Sequence, residues 1–339
     1  MRLKNLPVGG MLCSICVYAQ LVHTYAPETG GKSARGTPAS FEMTGPLPPH
    51  WSGNALIGVE DNHSSAPVIF LIDKDGRRDQ FSFSLPDAET IYVHGLATNS
   101  MGRVVIAGGA VSGDSKAGSF LALVEPDRKS QRVVRTWPYV PWEVVFAPDG
   151  SLWTVGYTFH DTEDRVVKLN MLSHFDPQGK LLGSVPVQAK PEFPGHSAAL
   201  SHSFLRTSSD RMGWFTNGME YIEFSFDGKE LSRYDGPEVS DRGESIRNGS
   251  FGLSRDNEVT FSTIENASIP AERAAAPLKP TRKTWSLDRQ NRRWVQLQIQ
   301  DDTLPGWSDV LGFDGETLIV SGKFHEIRRY SLNNEDRIR

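Results

Sequence analysis

Val144–Gly156 reads VVFAPDGSLWTVG, and Ser173–Val185, a short charged interval later, reads SHFDPQGKLLGSV. Each string is a β-prone run, a turn and a second β-prone run. Asp149-Gly150 and Asp176-Pro177-Gln178-Gly179 supply the turns. Asp tolerates the tight backbone and Gly supplies the positive φ that reverses the chain, while the flanking Val, Phe, Leu and Trp favour extended backbone. Two such hairpins in succession predict one four-stranded antiparallel sheet.

The same two patterns recur along the chain. The second hairpin has counterparts at Ile72–Gly76, Val124–Arg128, Phe224–Gly228, Leu287–Asn291 and Leu332–Asp336, so that the turn residue recurs at spacings of 52, 51, 49, 63 and 45. The first has counterparts starting at Gly95, Phe204, Phe251 and Val310, and Trp51-Ser-Gly-Asn-Ala-Leu-Ile-Gly-Val supplies a sixth. Repeats of about 40 to 50 residues, each one sheet that cannot bury both of its faces alone, predict a β-propeller. The fold class is all-β: six blades of four antiparallel strands, with seven as the alternative if Pro46 to Pro49 hide an irregular unit. The chain is short after Asn333, so Ser40 to Thr44 (SFEMT) is expected to complete the last blade.

With 38% hydrophobic and 23% charged residues, 31 Gly and 21 Pro, the 339-residue chain is globular and rich in turns rather than disordered or coiled-coil. A formal net charge of −5 carries no electrostatic footprint for nucleic acid. Arg2 and Lys4 precede an uncharged apolar stretch from Leu6 to Val22, and Val17-Tyr18-Ala19 is a small-residue cleavage pattern. Residues 1–26 are therefore expected to be a signal peptide, cut after Ala19 or, as second choice, after Ala26. Residues 27–40 are expected to be a flexible linker, and 41–339 the propeller. The protein is then secreted or periplasmic, with no transmembrane span in the mature chain. Cys13 and Cys16 form a C-x-x-C only inside the segment that export would remove.

Loop lengths point to one face. The turns between first and second, and third and fourth, strands are all short. The other face carries Glu60–Ala66, Gly109–Gly118, Tyr157–Arg165 and Asn266–Lys283 within blades, and Gln188–Ala198, Asp235–Asn248 and Gln300–Gly306 between them. Long loops on a rigid scaffold usually carry recognition. On that face the innermost strands begin near the ring axis, and aligning the blades by their turns brings His94, Trp142, Glu143, His202, Asn248, Trp307 and Asp309 around it. Two imidazoles, two carboxylates, an amide and two flat aromatic walls make a candidate ligand site. His94, Glu143, His202 and Asp309 are also the donor types a divalent metal takes, Zn or Ca.

The strings VVFAPDGSLWTVG and SHFDPQGKLLGSV resemble a blade of the NHL-repeat and gluconolactonase-like six-bladed propellers, over roughly residues 45 to 335. Where gluconolactonase-like proteins open the first blade with a metal-binding Glu-Gly-Pro, this chain has Thr44-Gly45-Pro46, and the Asn-x-Arg-Ile run of NHL repeats is missing. No G-x-S-x-G, H-E-x-x-H, G-x-x-x-x-G-K-[ST] or G-x-G-x-x-G motif is present. Two readings stay open: an exported propeller that binds a small molecule or a partner protein on its long-loop face, and a metal-dependent hydrolase or lyase acting on a lactone or glycan, with the metal in the central funnel.

Overall fold

The turn chemistry does what the sequence asks of it. In the outer hairpins Gly76, Gly179 and Gly228 take φ of +79°, +84° and +82°, and Arg128 takes the same region at +59°. In two of them an Asp ahead of the turn locks it: Asp73 Oδ1 accepts from the amides of Asp75 and Arg77, and Asp176 Oδ1 from those of Gln178 and Lys180, all at 2.8–2.9 Å. In the fifth hairpin the reversal falls on Arg292 (φ +51°), one residue beyond Asn291. The sixth copy, ending at Asp336, lies outside the described residues.

The computed structural model of the chain describes residues 24–27, 47–114, 117–161, 166–190, 203–237, 245–266, 281–299, 301–304, 308–322 and 326–332. Among them there is no helix, and the strands form six sheets. Blade 1 comprises His50–Ser52, Ala55–Glu60, Val68–Asp73 and Arg78–Ser82. Blade 2 comprises Ala88–Thr98, Val104–Ser112, Ala117–Val124 and Gln131–Arg135, and blade 3 Tyr139–Phe146, Leu152–Asp161, Val166–Phe175 and Leu181–Pro186. Blade 4 runs over Phe204–Thr207, Arg211–Phe215, Glu220–Ser225 and Glu230–Asp235, and blade 5 over Ser245–Leu253, Val259–Asn266, Thr281–Asp288 and Arg293–Gln296. Blade 6 is built on Val310–Asp314, Thr317–Ser321 and Ile327–Leu332.

The first strand of each blade packs against the first strand of the next, from blade 2 through blade 6 and on to blade 1, whose second strand meets blade 2. Ser52 Oγ closes the circle by donating to the Thr98 carbonyl (3.1 Å) and accepting from the Thr98 amide (3.0 Å). This ring makes the molecule a six-bladed β-propeller; the seventh unit is not formed.

Six apolar wedges hold the ring, one for each junction. Ile57 and Ile69 pack on Ile91 and Ile106 between blades 1 and 2, Ala97 and Leu121 on Val144 and Phe175 between 2 and 3, and Val145 and Leu172 on Leu205 and Ile222 between 3 and 4. Phe215 and Tyr221 meet Phe251 and Phe261, Leu297 meets Val310 and Leu318, and Leu311 and Ile319 meet Leu56 and Phe70. Both faces of the inner strands are thereby buried, which is why strands such as Ala55–Glu60 and Val310–Asp314 read as apolar runs rather than clean alternations.

Two expectations are corrected. The outer place in blade 6 is taken by Thr24–Pro27, antiparallel to Ile327–Leu332 through Tyr25↔Leu332, Ala26↔Ser331 and Pro27↔Tyr330. Ser40 to Thr44 lies outside the described residues, and a strand at the expected targeting–linker boundary fills the position proposed for it. Gln298–Ile299 adds in parallel on the far side of Thr24–Pro27. Second, the intervals 109–118 and 157–165 are largely strand, because the hairpins of blades 2 and 3 continue to Ser112 and Asp161 before reversing. The interval 60–66 also contains a short strand, His63–Ser64, which pairs on the innermost strand of blade 2.

Candidate functional site

The innermost strands of blades 2, 3 and 5 each carry a register irregularity: between Val93 and Gly95, between Pro141 and Glu143, and between Asn248 and Ser250. The residues set free by it are His94, Trp142 and Gly249, one equivalent position in the three blades. A bulge of this kind re-aims a side chain out of the ladder. The His94 and Trp142 rings stack at 4.5 Å and 23°. Blades 2 and 3 approach closely here because residue 95 is Gly; a Cβ there would lie 2.7 Å from the Trp142 carbonyl oxygen.

His94 Nδ1 donates to the Pro141 carbonyl at 3.1 Å, which leaves Nε2 as an acceptor. Burial lowers its pKa below the ordinary histidine value, so the ring is neutral at neutral pH. The imidazole of His63, on the loop strand from blade 1, pushes the same way.

Glu143, next along, is buried and faces blade 4, where Arg206 Nη1 lies 3.3 Å from its Oε2. The same Nη1 donates to the Leu205 carbonyl at 2.7 Å, while Arg206 Nε–H has no partner among the described residues. Burial raises the Glu143 pKa to about 7, with the guanidinium and the Leu205 amide pulling against it. Arg206 also depresses the pKa of His50 in the opposite blade, although burial is the larger cause there. His50 Nε2 donates to the Leu96 carbonyl at 3.0 Å. The guanidinium thus stands where the inner strands of blades 1, 3 and 4 converge. Arg206 and His50 are missing from the sequence-based set; the signal available for the first is a cation within the otherwise apolar strand Phe204–Thr207.

Of the expected ring, the structure brings together His94 and Trp142; Glu143 follows Trp142 in the strand and its side chain pairs with Arg206 instead. Asp309 is buried at the start of blade 6, its amide accepted by Ser321 Oγ at 2.8 Å. His202, Trp307 and the Asn248 side chain lie outside the described residues; the Asn248 backbone pairs with Thr263. Among the described residues no three His, Cys, Asp or Glu side chains converge.

Beside the His94–Trp142 stack opens a groove of about 210 Å³ between the extended hairpins of blades 2 and 3, lined by Tyr92, Trp137, Val140, Tyr157 and the backbone of Gly109, Ala110 and Gly118. Its walls are aromatic and its floor is partly bare backbone. A Cβ on Gly109 would sit 3.6 Å from His94 Cε1, and one on Gly118 would meet nothing within 4 Å. Trp137 is 59% exposed. Tyr157, half-buried, has its pKa raised by burial and lies 6.2 Å from the Trp142 ring. A groove of this composition receives a flat or elongated apolar group.

No protein-family description matches the sequence, and no curated protein does. Solved structures with a similar chain course include the Dos1 propeller (14% identity, 85% of this chain against 68% of that one, TM-score 0.43). A gluconolactonase from Xanthomonas campestris matches at 14% identity, 84% against 88% and TM-score 0.40. BamB from Moraxella catarrhalis matches at 9% identity, 87% against 90% and TM-score 0.41.

Proposed function

We propose that this chain is an exported binding module, and that the groove between blades 2 and 3 receives an apolar, ring-bearing or extended part of a small molecule or a partner protein. The observation that carries the reading is the convergence of Tyr92, Trp137 and Tyr157 over a glycine floor, on the face where the hairpins of blades 2 and 3 extend. An exposed indole next to a preformed apolar channel gives contact area at little conformational cost. Export rests on the charged start and apolar stretch of the first 22 residues. In this reading the targeting segment is cut after Ala19, since a cut after Ala26 would divide the strand Thr24–Pro27 that completes blade 6.

The test is a defined panel of oligosaccharides, aromatic small molecules and extended peptides, read by quenching of tryptophan fluorescence. A ligand of this groove loses at least about tenfold in affinity, roughly 1.4 kcal/mol, both in Trp137→Ala and in Gly118→Leu, while the melting temperature of each variant stays at the wild-type value. The first variant removes a wall and the second fills the channel from a position with open space above it. If every compound that binds is indifferent to both changes, the groove is not the site.

A further inference from the structure

A guanidinium grips a carboxylate best along the edge formed by Nε and Nη2, where two N–H donors stand side by side in the spacing of the two oxygens. Two surface arginines of this chain bind in that way. Arg211 gives Nε to Asp210 Oδ1 at 3.1 Å and Nη2 to Oδ2 at 3.0 Å, and Arg233 gives Nε to Glu230 Oε1 at 3.0 Å and Nη2 to Oε2 at 2.8 Å. Arg206, at the hub, does not. Both of its hydrogen bonds leave from Nη1, to Glu143 Oε2 at 3.3 Å and to the Leu205 carbonyl at 2.7 Å. The contact with Glu143 is long for a charge-assisted bond, which normally runs to about 2.7–2.9 Å. Nε–H is buried and meets no acceptor among the described residues.

The ring decides where this edge stands. Blades 1 and 4 are three places apart in a circle of six, so they face each other across the axis. Arg206 in blade 4 nevertheless acts electrostatically on His50 in blade 1, which puts the guanidinium over the hub rather than inside a wedge between neighbours. His50 offers it no acceptor: its Nε2 is taken by the Leu96 carbonyl at 3.0 Å, and its Nδ1 faces the Pro48 carbonyl at 3.5 Å. A cationic donor left unmatched out of water is costly, and native structures satisfy nearly all such groups. The Arg206 side chain keeps 9% of its surface exposed, which admits a small ion and excludes a bulky one.

We propose that the Nε–Nη2 edge of Arg206 is a binding site for a small carboxylate anion at the hub of the propeller. The two oxygens of the anion accept from Nε and Nη2, as those of Asp210 and Glu230 do from Arg211 and Arg233, while Glu143 keeps Nη1. A planar carboxylate matches this fork and a spherical halide does not. The like charge of Glu143 on the neighbouring nitrogen weakens the site, so removing that charge tightens it. The site is separate from the groove between blades 2 and 3 and does not depend on what that groove receives.

The experiment follows the arginine Nε–H signals of the protein by proton–nitrogen correlation NMR at pH 8, where Glu143 is mostly ionised. Sodium formate is titrated against sodium chloride at equal ionic strength, and Arg206→Lys identifies the Arg206 signal by its loss. Formate is expected to move that signal saturably, chloride to leave it in place, and Glu143→Gln to bind formate at least about tenfold more tightly. A signal that formate leaves unmoved in both the wild type and Glu143→Gln overturns the proposal. So does a response to chloride of the same size, which means an adventitious ion only. Should Arg206→Lys fail to fold, thermal unfolding of the other two proteins decides. Formate at about 200 mM then raises the melting temperature above its value in chloride, and by more in Glu143→Gln than in the wild type. Equal melting temperatures in the two salts sink the idea.

Discussion

Glu143 and Arg206 meet near the axis, 3.3 Å apart and almost wholly out of water. Their attraction does not settle the charge state of the pair, because withdrawing a carboxylate from water costs more than one long contact with a guanidinium returns. A carboxyl whose folded pKa stands at about 7 against an ordinary 4.5 contributes stability that is fully present below about pH 4.5 and is lost as the pH rises through 7. His50 and His94 act with the opposite sign: their pKa values are lowered from 6.5, so their contribution is present above 6.5 and is lost as the pH falls. Glu143→Gln separates the two effects. It is expected to match the wild type in denaturant unfolding at pH 4.5 and to exceed it at pH 8 by something on the order of 3 kcal/mol. A Gln variant less stable than the wild type at pH 8 means that the ion pair outweighs its own desolvation.

The strand that completes blade 6 shows how differently local and distant partnerships are written in the chain. A hairpin carries its own instructions: Asp73 and Gly76, or Asp176 and Gly179, bend the backbone whatever lies elsewhere, so the repeat and its period are legible from sequence. The equivalence of His94 and Trp142 is legible for the same reason, since both are counted back from such a turn. Nothing within Thr24–Pro27 announces that it will lie beside Ile327–Leu332, about 300 residues away, and SFEMT has the stronger β character. Arg206 facing Glu143 across adjacent blades, and Trp137 of the crossover walling the groove with Tyr92, are likewise contacts between residues far apart in sequence, set by packing rather than by any sequence neighbour.

Truncation tests the strand. A chain starting at residue 20 should melt with the full-length protein, while one starting at residue 28 leaves the outer edge of Ile327–Leu332 open and should lose about 1–3 kcal/mol of stability, from a few backbone hydrogen bonds of about 1 kcal/mol each. N-terminal sequencing of exported protein should give Gln20 as the first residue. A start at Pro27 in an equally stable protein removes the structural role of this segment.

Closure also governs how the whole molecule comes apart. An open row of repeats is stabilised only by contacts between neighbours, so it can fray from either end and lose blades one at a time. A ring has no end blade: each of the six wedges is shared, and freeing one blade breaks two of them. Here the first and last blades meet twice, through the Trp51–Leu311–Ile319 wedge and through the N-terminal strand on the outside of blade 6. The full ring should therefore unfold in urea as one cooperative step, with far-UV circular dichroism, which reports all the sheets, and tryptophan fluorescence giving one coincident transition. Four of the indoles that report are in blades 1, 3, 4 and 5, at Trp51, Trp153, Trp214 and Trp294, and Trp51, packed with Leu311 and Ile319, also reports on blade 6. In the chain starting at residue 28, blade 6 is held by its inner wedges alone and becomes the place where the ring opens. The two transitions should then separate, and the urea dependence of the first should be shallower, since it exposes the surface of one blade rather than six. Coincident transitions in both chains would show that the inner wedges alone close the ring, leaving the outer strand as cover for an edge.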